Sequence, residues 1–116
     1  MVTSKLEDGV LCVFIEGDLN AEETIKEAGK WEDAEYCGVL TDIRKMTSQP
    51  AAEQKKMEEW RKGLEVSRPN ALLGGSGAMA ALANIYVRFT GAKETRFFTD
   101  PDKAKAWLKS FISKSG

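Results

Sequence analysis

At 116 residues and 42% hydrophobic, the chain is long enough for one domain with a sizeable core and too short for two. Lys+Arg of 17 against Asp+Glu of 18 leaves a formal net charge of -1, which argues against the basic field that draws a protein onto nucleic acid or an anionic membrane. With His 0, Ser-His-Asp and Cys-His nucleophile systems, HExxH metal helices and zinc sites built on imidazole are all excluded.

Taken in order, the chain opens with two β-type runs, Thr3 to Leu6 and Val10 to Glu16, separated by Glu7-Asp8-Gly9. An Asp-Gly step between such runs predicts a hairpin. The second run, Val10-Leu11-Cys12-Val13-Phe14-Ile15, is apolar on both faces, the pattern of a central strand covered by helices on each side. It is also the longest apolar run near the N-terminus, far short of the about 20 residues that span a bilayer, so the expectation is a cytoplasmic chain with no transmembrane segment. Gly17-Asp18-Leu19 then turns the chain, and Asn20 with Glu23 forms a capping box for a helix carrying Ile25 and Ala28 inward.

The next strand is Gly38 to Ile43, with Asp42, Arg44 and Lys45 at its polar end. A loop through Thr47, Ser48, Gln49 and Pro50 leads to a charged helix over Ala51–Val66, whose Met57, Trp60 and Leu64 recur at helical spacing. Asn70 to Leu73 reads as a short strand running into Gly74-Gly75-Ser76-Gly77, and Ala78–Phe89 as a helix rich in small residues. Thr95 to Phe98 is the last strand. Asp100 caps and Pro101 begins the last helix, whose apolar side carries Ala104, Trp107, Leu108 and Phe111, so that Phe97, Phe98, Trp107 and Leu108 are expected in the core. Residues 1–112 form the domain and 113–116 a frayed tail. The two cysteines, Cys12 and Cys37, both fall in strand-like stretches with no CxxC spacing and read as buried free thiols.

The sum is an α/β layer of about five strands and about four helices, mostly parallel with an antiparallel N-terminal strand. Asp8-Gly9-Val10 opening a buried strand, Gly38-Val39-Leu40-Thr41-Asp42-Ile43-Arg44, and Arg96-Phe97-Phe98-Thr99-Asp100-Pro101 leading into Ala104, Ala106, Trp107 and Leu108 together resemble the SpoIIAA-like family of small STAS-related domains. The resemblance implies a STAS-type fold, a shape related to CRAL-TRIO lipid-exchange domains, and no catalytic residue.

Three candidate sites follow. Ligands of open α/β sheets bind beyond the carboxyl ends of the strands, which nominates a rim of Asp18, Asn20, Asp42, Arg44, Thr47, Ser48, Gly75, Ser76, Thr99 and Asp100. Within it, Gly74 to Gly77 can offer amides to an anion or serve as a plain turn and cap; it lacks the lysine of a P-loop. In STAS regulators a phosphate acceptor follows the strand matching Val39 to Ile43, which the resemblance places at Thr47 or Ser48. The Asp-Ser-Ser-Gly motif is replaced there by Met46-Thr47-Ser48-Gln49-Pro50, and a helix N-cap is the competing role. Third, Met79, Leu82 and Tyr86 under the small-residue helix can line an apolar pocket for a lipid or other small apolar ligand, or simply pack closely.

Nothing in the sequence points to a cofactor or a metal. Two function classes remain: a non-enzymatic regulatory module whose rim and post-Pro50 helix engage a protein partner, and a small-ligand or lipid carrier. Trp31, Trp60 and the edge strand Thr3 to Leu6 are candidates for self-association.

Overall fold

Asp8 and Gly9 close the first turn with positive φ values of 53 and 77, the backbone that a two-residue hairpin demands and that an Asp-Gly step supplies. The structure is a computed structural model describing residues 1–31, 33–63, 69–74 and 95–115, with the backbone alone described at residue 61 and at 111–115. The turn joins β1 (Val2–Glu7) to β2 (Val10–Asp18); there follow α1 (Ala21–Gly29), β3 (Gly38–Ser48), α2 (Ala51–Lys62), β4 (Asn70–Leu73), β5 (Thr95–Phe98) and α3 (Pro101–Ser115). The sheet order is β1-β2-β3-β4-β5, with β1 antiparallel to β2 and all other pairs parallel. This is the mixed five-stranded α/β architecture that the sequence implies, with three helices among the described residues. The helix expected over Ala78–Phe89, like Leu64, lies outside them.

Strand alternation divides the core in two. On one face Val10 and Cys12 join Leu40, Ala71 and Leu73 under Ala104 and Leu108 of α3. On the other, Leu11, Val13, Ile15 and Ile43 gather with Val2 and Leu19 against Trp31 and Met57 on the α1 and α2 side. β2 is apolar from Val10 to Ile15 because that half of it serves both faces. It is an interior strand, but the middle position belongs to β3.

The α3 face is packed to contact. A Cβ built on Gly38 would stand 2.7 Å from Leu108 Cδ2 and 2.9 Å from the Pro69 carbonyl oxygen, which itself accepts the Val39 amide at 2.9 Å. Leu108 is fully buried, a burial that contributes about 1.5–3 kcal/mol. Phe98 and Trp107, expected in the core, are half-buried at its margin with ring centroids 5.6 Å apart, and Phe97 is also half-buried. They close the end of the layer rather than fill its centre. Lys105 of α3 reaches Glu7 of the hairpin at 2.9 Å, and Lys5 reaches the same carboxylate at 2.8 Å; these two cations pull Glu7 down to about 2 from its ordinary 4.5.

Four local expectations are corrected. β3 continues through Arg44, Lys45, Met46, Thr47 and Ser48, which pair with the far half of β2 across two register shifts instead of forming a loop. β2 runs through Gly17 and Asp18 instead of turning there, with Gly17 at φ 78 taking up one of the irregularities. Helix α1 buries Ala21 and Thr24, while Ile25 and Ala28 are only half-buried, because the helix packs against both β1 and α2 and Ile25 falls at the open groove beside α2. Cys37 precedes β3; it is half-buried, Cys12 is buried, and both are free thiols.

Candidate functional site

The candidate rim is set by unequal strand lengths. β4 ends at Leu73, opposite Asp42, and β5 ends at Phe98, opposite Leu73. β2 and β3 continue beyond that level to the pair Asp18 and Ser48. The expected residues therefore fall on two steps, an outer one on the β2–β3 extension and an inner one where β3, β4 and β5 stop together.

On the outer step, Thr47 Oγ1 and Ser48 Oγ donate to the same Asp18 oxygen at 2.9 and 2.6 Å. All three residues are exposed. The Ser48 hydroxyl first, and the Thr47 hydroxyl second, hold the Asp18 carboxyl below its ordinary value. Leu19 donates its amide to the Ser48 carbonyl at 2.9 Å, and Asn20 follows as the N-cap of α1, its Oδ1 accepting the Glu23 amide at 2.9 Å. The Glu23 carboxylate does not complete a capping box; it accepts the Val2 amide at 2.7 Å and so covers part of the sheet edge. Neither Thr47 nor Ser48 caps α2. The first-turn amides of Glu53 and Gln54 donate to the Pro50 carbonyl, and the Gln54 side chain folds back onto the Gln49 carbonyl at 2.8 Å.

On the inner step, Asp42 is buried and gripped by Arg44, whose backbone amide donates at 3.0 Å and whose Nη2 donates at 2.7 Å. The grip spans the first bulge of β3, where two residues of β3 answer one of β2. Burial pushes the Asp42 carboxyl up, but the hydrogen bonds and charge of Arg44, with the charge of Lys45, outweigh it and leave the group below its ordinary value. Beside it, the Gly74 amide donates to the Phe98 carbonyl at 3.0 Å. Thr99 is exposed, and Asp100 caps α3 by accepting the Asp102 amide at 2.9 Å.

The structure thus brings Asp18, Asn20, Thr47 and Ser48 together and sets Asp42, Arg44, Thr99 and Asp100 on a separate step. Gly75 and Ser76 of the rim, and Met79, Leu82 and Tyr86 of the apolar pocket, lie outside the described residues. Chemically, Asp18 and Asp42 are both held below their ordinary value, a poor setting for a general base at neutral pH. Among the described residues no three acidic or thiol side chains gather to hold a metal ion, and no helix is long and apolar enough to cross a membrane.

Of the self-association candidates, Trp31 turns inward, its Nε1 donating to Ser4 Oγ at 2.7 Å. Edge strand β1 leaves Leu6 exposed. Trp60 lines an open groove between α1 and α2 together with Ala21 and Ile25. The helical spacing of Met57 and Trp60 gives both to one stripe, yet only Met57 meets the sheet core.

Comparison with known proteins bears on the fold that carries this rim. The family model described as Domain of unknown function (DUF7793) matches residues 5–112. No curated protein matches the chain. Among solved structures, it is similar to an uncharacterized protein of the DUF3478 family with a SpoIIAA-like fold from Shewanella loihica PV-4, at 19% identity over 93% of this chain and 92% of that one, with a TM-score of 0.65. It is likewise similar to an anti-sigma factor antagonist from Mycobacterium paratuberculosis, at 14% identity over 94% and 93% of the two chains, with a TM-score of 0.69. At these identities the likeness concerns the fold, and the fold is SpoIIAA-like, as the residues of β2, β3 and the β5–α3 junction imply.

Proposed function

The chain belongs to the family described as a domain of unknown function, DUF7793, and from that premise we propose that it is a non-enzymatic regulatory module that binds a partner protein through its outer rim and the start of α2. The observation that carries this reading is the β2–β3 extension. It holds Asp18, Thr47 and Ser48 exposed and mutually hydrogen-bonded beyond the ends of the neighbouring strands, directly before both helices begin. Preformed polar groups on strands give orientation and specificity to a contact at low ordering cost. Asp18 and Asp42, both held below their ordinary value, are weak bases and supply no obvious catalyst. One protein of the same fold is named an anti-sigma factor antagonist, and a role exerted on another protein is the part of that description carried over.

Capture from extract of the native cell by the immobilised protein tests the proposal. A stoichiometric protein partner lost with Asp18→Arg supports it; capture of no protein, or of one indifferent to Asp18, contradicts it. A phosphate on Thr47 or Ser48 would face the Asp18 carboxylate, replace a donated hydrogen bond by repulsion and alter this surface. Incubation with the kinases of the same extract, followed by mass spectrometry, tests that switch, and no phosphate at either residue removes it. The carrier reading rests on Met79, Leu82 and Tyr86; native mass spectrometry of the purified protein tests it through bound lipid.

A further inference from the structure

Helices α1 and α2 each follow the carboxyl end of one of two parallel strands, so they lie side by side on one face of the sheet and run in the same direction. The Ala21 amide donates to Glu53 Oε1 at 3.2 Å, which sets their first turns level. Between them lies an open groove of about 820 Å³, with Ile25 and Trp60 half-buried along it.

Four charges rim the groove: Glu22 and Lys26 from α1, Lys56 and Glu59 from α2. Counting about 1.5 Å per residue from the Ala21–Glu53 contact, Glu22 stands within about 3 Å of the level of Lys56, and Lys26 within about 1.5 Å of the level of Glu59. The acids thus occupy one diagonal and the bases the other. Lys56 pairs with Glu53 at 3.1 Å; Glu22, Lys26 and Glu59 form no ion pair among the described residues.

We infer that this groove is a self-association face whose occupant is a second copy of the chain, laid groove to groove about a two-fold axis. An isologous contact sets a surface against itself, so a patch of one sign repels its copy. A checkerboard does not. With the axis along the helices, Glu22 meets Lys56 of the second copy and Lys26 meets Glu59; with the axis across them, Glu22 meets Lys26 and Lys56 meets Glu59. Every acid faces a base in either arrangement, whereas a partner of one dominant sign meets equal attraction and repulsion. Trp60 and Ile25 then form the apolar centre inside a charged rim, the distribution that interfaces favour. The inference does not rest on the rim's proposed partner role: Asp18 is not among the residues that line the groove, and self-association of the purified chain is read without any partner.

Sedimentation velocity on the intact chain tests it at low salt, up to about 1 mM, the concentration at which even a weak contact is populated. The wild type is expected to dimerise with rising concentration. Lys26→Glu with Lys56→Glu makes the rim all acid, and Glu22→Lys with Glu59→Lys makes it all base. Each variant alone is expected to associate at least about tenfold more weakly, and an equimolar mixture to recover the dimer. Circular dichroism verifies folding. Should a variant fail to fold, the wild type decides: over the constant background of Trp31 and Trp107, which do not line the groove, tryptophan emission shifts to the blue with concentration if the groove closes over Trp60. A wild type monomeric throughout, variants that dimerise as it does, or emission indifferent to concentration overturns the inference.

Discussion

The two faces of the sheet are closed differently. On one, α3 lies so near the strands that Gly38 has no room for a Cβ, and Leu108 and Ala104 are fully buried. On the other, among the described residues, two helices share the cover and leave an open groove between them, with Ile25 and Trp60 only half-buried. The difference assigns roles. The α3 face is the more tightly closed of two buried cores, while the groove and the rim from which α1 and α2 start hold the exposed, preformed groups to which we assign recognition.

The largest effect that sharpens this contrast is expected from Leu108→Ala, which empties a fully buried site on the tight face and should cost about 2–5 kcal/mol by denaturant unfolding. A loss of under about 1 kcal/mol would show that α3 is not the principal lid. Gly38→Ala should cost about 1–3 kcal/mol, because its methyl collides with Leu108 and the Pro69 carbonyl. Asn20→Ala, at the exposed start of α1, should cost about 1 kcal/mol through the lost cap to the Glu23 amide and leave the α3 face intact. Smallest at neutral pH is the clamp between hairpin and α3. Glu7 is lowered in the folded chain, so its contribution is complete above its ordinary value of 4.5 and is lost as pH falls toward about 2. Glu7→Gln should flatten the pH dependence of the melting temperature across that window; an unchanged profile breaks the assignment.

How far these features were legible in the sequence depended on how local their causes are. β4 is read to the residue as Asn70–Leu73 because a proline and a glycine bound a short apolar run, and the start of α3 is fixed by Asp100-Pro101 and the hydrogen bond from the Asp102 amide. The hairpin turn is equally local. The end of β3 was not legible, since Arg44 to Ser48 carry little of the apolar alternation that marks a half-buried strand and are held by pairing with β2 through two bulges. For the same reason Thr47 and Ser48 resemble helix caps in sequence, while their acceptor, Asp18, is 29 and 30 residues away. The groove beside Trp60 arises from two helices that meet only after both crossovers are made, and helical periodicity in α2 alone cannot separate Trp60 from Met57.

The central claim, that cohesion and recognition occupy different parts of this domain, is tested most directly by one pair of readings on Asp18→Arg: partner capture from native extract and the melting temperature of the same preparation. The account predicts that capture is lost while the melting temperature stays within about 3 °C of the wild type, as befits an exposed substitution of under about 0.5 kcal/mol. Capture that persists, or that disappears together with a large fall in melting temperature, would contradict it.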